Sequence, residues 1–249
     1  MGSSRGSERS SPSIPGWSYH NDYEEIDGRG IRAPASSQRR AIDRRVAGRS
    51  SERYDGVEKT AQFARIGDSV PSAHMSCLAM RRSLLLLVLD RLERVPIGVD
   101  FFLFFVGVAG EGAMVVDPAK LTQYRRHAAN SSRALSFDPA SYLELVAGSR
   151  TMAAETRGAV EALGGVSILP WLEAELAAHA LYVATAAPRP QRRAVGDALL
   201  GVLRGPRSLA GVERPSQWLR SWLFLVSPHL AARLLRPRVR TDFVEAHGP

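Results

Sequence analysis

Cys77 is the only cysteine in 249 residues, so no internal disulfide can form and the chain suits a reducing compartment. No activating base stands near it in sequence, and it reads as a small buried hydrophobe. Long apolar runs are also missing. A bilayer span needs roughly 20 consecutive apolar residues. The best stretch here, FFLFFVGVAG at 101–110, is far shorter and lies between Asp100 and Glu111, so it is expected to be buried rather than spanning. The N-terminus has no apolar segment behind its charges, and no signal peptide is expected. His20, His74, His127, His179, His229 and His247 show no i,i+4 pairing, which leaves a zinc motif unsupported. Internal repeats, a glycine-rich phosphate loop and a D-x-D triplet are likewise absent. Acidic residues are scarce at the carboxyl end. From Pro188 to Arg240, eleven arginines face only Asp197 and Glu213, in a chain of net charge +8. Such a basic stripe calls for an anionic partner, either nucleic acid or a lipid surface.

What is present divides the chain into three stretches. Residues 1–16, rich in Ser, Gly, Pro and Arg, are expected to be disordered. WSYHNDYEEIDGRGIRA (17–33) has the aromatic content of a strand before a D-G-x-G turn. Residues 34–56 are polar and Arg/Ser-rich, with no periodicity that specifies an element. SLLLLVLDRLERV, from Ser83, predicts a helix ended by Pro96. VDFFLFFVGVAG predicts a second, apolar helix stopped by Gly110 and Gly112, and AMVVD (113–117) a short buried strand. Beyond Asp138, a suitable N-cap before Pro139, the pattern predicts helices at 139–163, 168–186, 190–204 and 215–235. The fold class is therefore mostly α with a small α/β part, over 17–135, followed by a helical region over 136–249.

The densest chemistry lies at 120–132, KLTQYRRHAANSS, too varied for a charged linker and too polar for plain core. In order, VDFFLFF, VVDPAKL and YRRHAANSS resemble the carboxyl-terminal portion of a family 2 glycosyltransferase domain. Members of that family read as an acidic residue opening a helix, a strand ending in (E/D)-P-L, then Y-R-x-H-x-x-N-x-S. Upstream, SYHNDYEEIDGRG is similar to the family's strand-turn Y-S-D-Y-x-x-I-D-x-x-G, and SAHMSCLAMRRSLL to its acceptor-side strand leading into R-R-x-L-L. The four pieces stand in the family's order over residues 17–135.

The resemblance implies a partial GT-A-like segment. It also implies inverting transfer of a hexose from a nucleotide sugar to a lipid- or polysaccharide-linked acceptor. The family's nucleotide-binding half, with its D-x-D, has no counterpart here. A divalent metal (Mg or Mn) and the nucleotide sugar are therefore expected only where that half is supplied, by a partner polypeptide or by an upstream segment, and no cofactor for the chain alone. Asp100 is then the implied base that deprotonates the acceptor hydroxyl; from the residues alone it equally caps its helix. Arg125 and Arg126 offer planar donor forks to a departing diphosphate, and His127 could donate to the same oxygens or ligate a metal. The alternative for all three is a solvated loop charge. Tyr124 and Asn130 are expected to orient the loop, and Asp117-Pro118 to end a strand.

The tail, PSQWLRSWLFLVSPHLAARLLRPRVR, places Trp218, Leu219, Trp222, Leu223 and Val226 on one helical stripe with Arg220, Arg233, Arg236, Arg238 and Arg240 around it. That pattern suits the headgroup boundary of an anionic bilayer, or else the stripe packs on preceding helices. Lipid is favoured over nucleic acid because the arginines alternate with long apolar residues. Two functions follow. One is a glycosyltransferase-like protein, peripheral on the cytoplasmic membrane face, either truncated and inactive alone or completed by a partner polypeptide. The other is a non-catalytic helical protein that binds membrane or another partner through its basic tail.

Overall fold

The computed structural model describes residues 17–35, 37–56, 59, 62, 77–125, 139–186 and 192–204. Expectations for residues 1–16, Arg126, His127, Asn130, Asp138 and the tail 215–240 lie outside the described residues.

The chain is mostly helical around a small mixed sheet. Strands β1 (Trp17–Ile26), β2 (Glu52–Tyr54), β3 (Leu78–Met80) and β4 (Ala113–Arg125) lie in the order β2-β4-β1-β3. β1 and β4 run parallel, from Trp17 opposite Ala113 to Ile26 opposite Arg125. The two short strands pair antiparallel on the outer edges, β3 along Ser18–His20 and β2 along Met114–Val116. β4 is longer than the 113–117 strand predicted. Pro118 has no N–H for the ladder, and the register slips there, from Val116 opposite His20 to Lys120 opposite Asp22. Beyond that bulge the strand resumes, so Lys120, Tyr124 and Arg125 are strand residues and not a loop.

Helix α1 (Ser37–Val46) and β2 occupy the stretch where no element was expected. Arg39, Ile42 and Val46 all face inward on α1. An arginine at an inward position hides the apolar period that would otherwise announce the helix. The predicted helix from Ser83 is two, α2 (Arg82–Leu86) and α3 (Leu89–Leu92). The chain turns between them, with the Val88 N–H on the Leu85 carbonyl at 3.1 Å. Leu84 and Val88 are buried by that turn, while Leu86, Leu87 and Leu89 remain exposed.

Helix α4 (Val99–Ala109) is apolar on all sides because it is covered on all sides. One face lies on the sheet, where Phe104 and Phe105 join Tyr54, Met114 and Val116. The rest meets α5 (Pro139–Ala162), the short 3-10 turn Val166–Ile168 and α6 (Leu169–Ala186). Val160, Ile168 and Leu172 complete the first core cluster, and Met152 and Ala159 join Leu84, Val88, Phe102 and Val106 in the second. Both clusters thus draw on residues before and after position 136. Gly107 makes the close approach of α4 to β1 possible: a Cβ there would stand 2.8 Å from Ser18 Oγ. Helix α7 (Arg192–Arg204) folds back on α6, with Leu181, Ala184, Val195 and Leu199 buried between them.

Lys59 is buried against the end of α4, where its ammonium donates to the Gly107 carbonyl at 3.2 Å and to that of Gly110. A cation suits a helix C-terminus, yet burial lowers the Lys59 pKa to about 8. The unfolded chain therefore holds a proton that the native protein has lost, and stability rises with pH between about 8 and 10.5. Urea unfolding at pH 8, 9 and 10 should show that rise in the natural protein and a flatter profile in Lys59→Met; identical slopes would contradict it.

Candidate functional site

Asp100 stands in the first turn of α4. The N-cap residue is Gly98, in the left-handed region at φ 69°, so Asp100 is the second residue inside the helix rather than its cap. Its Oδ1 accepts the Phe101 N–H at 3.0 Å, which satisfies one of the free amides of the helix start. The carboxylate is half-buried.

Phe104 meets His20 edge-on, at 5.5 Å between ring centroids, and Gly107 lies over Ser18, so α4 runs antiparallel to β1. From Phe104 back to Asp100 is about 6 Å of helix, or about two strand residues. Asp100 accordingly lies level with Asn21 and Asp22. Arg125 is opposite Ile26 at the carboxyl end of β4, about 13 Å farther along the strands. Its guanidinium is exposed and donates to the Gly28 carbonyl at 3.2 Å. That carbonyl belongs to the D-G-x-G turn, tied by Asp27 Oδ1 to the Arg29 and Ile31 amides at 2.8 and 2.9 Å. Asp100 and Arg125 do not touch: Asp100 lies level with the middle of β1, whereas Arg125 stands at the carboxyl end of the parallel pair. In α/β sheets, ligands bind outside that end. Arg126 and His127 lie beyond the described residues.

The charged cluster nearest this end was not anticipated. Arg39 reaches from α1 to β1 and grips Asp22 with both arms, Nη1–Oδ1 at 2.6 Å and Nη2–Oδ2 at 2.5 Å, with both side chains essentially buried. Arg39 Nη2 also meets Asp43 at 2.9 Å, Asp43 takes Lys120 of β4 at 2.8 Å, and the Arg39 guanidinium lies 4.7 Å from the centre of the Tyr23 ring. Burial alone would lower the Arg39 pKa, but the Asp22 and Asp43 carboxylates outweigh it and hold the value above the ordinary range. Burial likewise opposes ionisation of Asp43, and Lys120 with Arg39 overcomes it, so its pKa is lowered. The only sequence trace of this chain of charges is the Arg39/Asp43 spacing of four.

On the strand before it, Tyr19 donates to Asp117 Oδ2 at 2.7 Å, and burial together with that carboxylate pushes its pKa up to about 12. Asp117 Oδ1 accepts the Ala119 N–H at 2.9 Å, so the Asp-Pro step is fastened on both sides of the bulge. Asn21 donates to Thr122 across the parallel pair at 2.9 Å, and Tyr23 packs edge-on against Tyr124 at 5.5 Å. Tyr124 thus positions the strand end. Cys77 is buried with Tyr23, Ile42 and Val46.

These commitments leave little for a divalent metal. Asp22 is filled by Arg39, Asp43 lies between two cations and Asp117 between Tyr19 and an amide; among the described residues no three His, Cys, Asp or Glu side chains converge. The described residues do not assemble a metal site. No helix among the described residues is long and apolar enough to cross a membrane. Compared with protein-family models, curated proteins and solved structures, the chain matches none of them.

Proposed function

We propose that this protein is the acceptor-side part of an inverting glycosyltransferase of the family 2 type, working peripherally at the cytoplasmic membrane face. The observation that carries the reading is the order along the parallel pair, with Asp100 level with the middle of β1 and Arg125 about 13 Å beyond it at the carboxyl end. The half-buried carboxylate starts a helix, and the guanidinium closes the parallel strand beside it. Asp100 takes the proton of an acceptor hydroxyl as that oxygen attacks the anomeric carbon and the bond to the nucleoside diphosphate breaks. Arg125, with Arg126 and His127 next in sequence, offers donors to the negative charge that develops on the departing phosphate. The donor sugar and any metal are held by a nucleotide-binding half supplied separately, since Asp22, Asp43 and Asp117 are otherwise engaged.

The test uses membranes of cells expressing the full chain, supplied with labelled UDP- and GDP-hexoses. Asp100→Asn should cut incorporation into lipid- or polysaccharide-linked product by about 10²–10⁴-fold, while the thermal unfolding midpoint stays within a few degrees. Near-normal incorporation would reduce Asp100 to an acceptor for the first helical amides.

A further inference from the structure

Three leucines are out of place. Leu86, Leu87 and Leu89 are 55%, 69% and 38% exposed, within four consecutive positions on the α2–α3 turn. Elsewhere exposed large apolar residues such as Leu121, Leu143 and Leu200 lie on separate elements, which is ordinary for a soluble surface. The α2–α3 turn concentrates them by design of the backbone. Leu84 and Val88 fill the core beneath, and the break at Leu87–Val88 presents the intervening side chains outward together.

The surroundings narrow the partner. Arg81 and Arg82 precede the patch, both exposed, and their guanidinium groups make no hydrogen bond or ion pair among the described residues. On the other side, Arg91 and Arg94 are drawn to Glu155 of α5 at 3.2 and 2.9 Å. Asp90 and Glu93 lie between, exposed, so the charge next to the leucines is weakly positive and the free positive charge is at Arg81 and Arg82. The exposed leucine surface is on the order of 300 Å², whereas a stable complex of two copies needs about 800 Å² from each. That area is too small for a self-contained protein interface. A bilayer sets no such minimum: a few leucines enter the headgroup boundary while adjacent arginines stay at phosphate level.

We propose that the α2–α3 turn is a membrane-docking tip, with Leu86, Leu87 and Leu89 entering the headgroup region of an anionic bilayer and Arg81 and Arg82 meeting its phosphates. The inference rests on the reading that this protein works at a bilayer surface, and it adds a second contact, on the folded domain, to the basic tail.

Because Cys77 is the only cysteine and is buried, a single cysteine placed at the tip can be labelled selectively. The full chain carrying Leu87→Cys, modified with an environment-sensitive dye, is mixed with phosphatidylglycerol–phosphatidylcholine vesicles or with phosphatidylcholine alone. A matching label at Glu161→Cys, on an exposed position of α5, is the control. The expected result is a blue-shifted, brighter signal at 87 with anionic vesicles, quenched by lipid-borne spin labels, and no change at 161. Leu86→Asp/Leu87→Asp should weaken vesicle partitioning by about tenfold or more without altering thermal unfolding. If the protein sediments with vesicles while the label at 87 stays silent, the tip is wrong and the surface reading stands. Failure to sediment with either vesicle type overturns both. A signal that shifts without vesicles, and grows with protein concentration, would make the patch a contact between copies and overturn the proposal.

Discussion

Arg39→Met should lower the free energy of unfolding by about 3–5 kcal/mol, because it strands the Asp22 carboxylate in a buried site. The guanidinium is nearly inaccessible, grips Asp22 with two bonds, and also donates to the Tyr23 carbonyl at 2.9 Å. Losing one partner leaves the other charged with no water to replace it. The pair itself is a different matter. Bringing both ions out of water costs nearly as much as their attraction returns, so Asp22→Leu/Arg39→Met should recover most of the loss. Recovery should stop short of complete, since Asp22 also accepts the Tyr23 N–H at 2.8 Å. By contrast, Lys120→Ala should cost under about 1 kcal/mol, its link to Asp43 being about a third exposed on each side. Urea titrations of the three variants beside the natural protein check the set. A small loss in Arg39→Met, or none recovered in the double variant, would show that the pair does not pin α1 to the sheet.

The second large effect is acid sensitivity from one buried imidazole. His20 is fully buried under α4, and neither ring nitrogen has a hydrogen-bond partner; the Ser18 hydroxyl beside it is in the same state. Burial lowers the His20 pKa to about 3. The unfolded chain takes up a proton near pH 6.5, the native protein only near 3, so stability is complete above about 6.5 and falls as pH drops towards 3. The full span corresponds to about 4–5 kcal/mol. His20→Phe keeps the edge contact with Phe104 and removes two unsatisfied nitrogens. It should be more stable than the natural protein by about 1–3 kcal/mol at neutral pH, and the gap should widen on acidification. Parallel pH profiles for the two proteins would rule this out.

The sequence carried the elements whose pattern follows from burial alone. The aromatic run 17–26 and its D-G-x-G turn, the Phe-rich helix after Gly98, and the helices ending near Ala162, Ala186 and Arg204 were all legible. Each has apolar residues where the core lies and glycine or proline where the chain turns. What could not be read depended on juxtaposition. Arg39 faces inward only because Asp22, seventeen residues earlier, waits there. Without that knowledge α1 looks like a solvated arginine run. The extension of β4 past Pro118 depends on β1 lying alongside to accept it. Asp100 and Arg125 were readable as residues of interest, yet their relative placement along the sheet required the parallel pairing of strands almost a hundred positions apart.

That pairing also bears on how the protein is made. β1 emerges from the ribosome first, and its long partner begins only at Ala113. At about 5–20 residues per second, the interval is on the order of 5–20 s. β3, opposite Ser18–His20, becomes available sooner, and Phe104, which covers His20, is synthesised just before β4. During translation β1 therefore waits for its long partner with only α1 and the three-residue β3 at hand. The newborn chain passes through seconds in which Tyr23 already has α1 for shelter while the edge of β1 that will pair with β4 stays open.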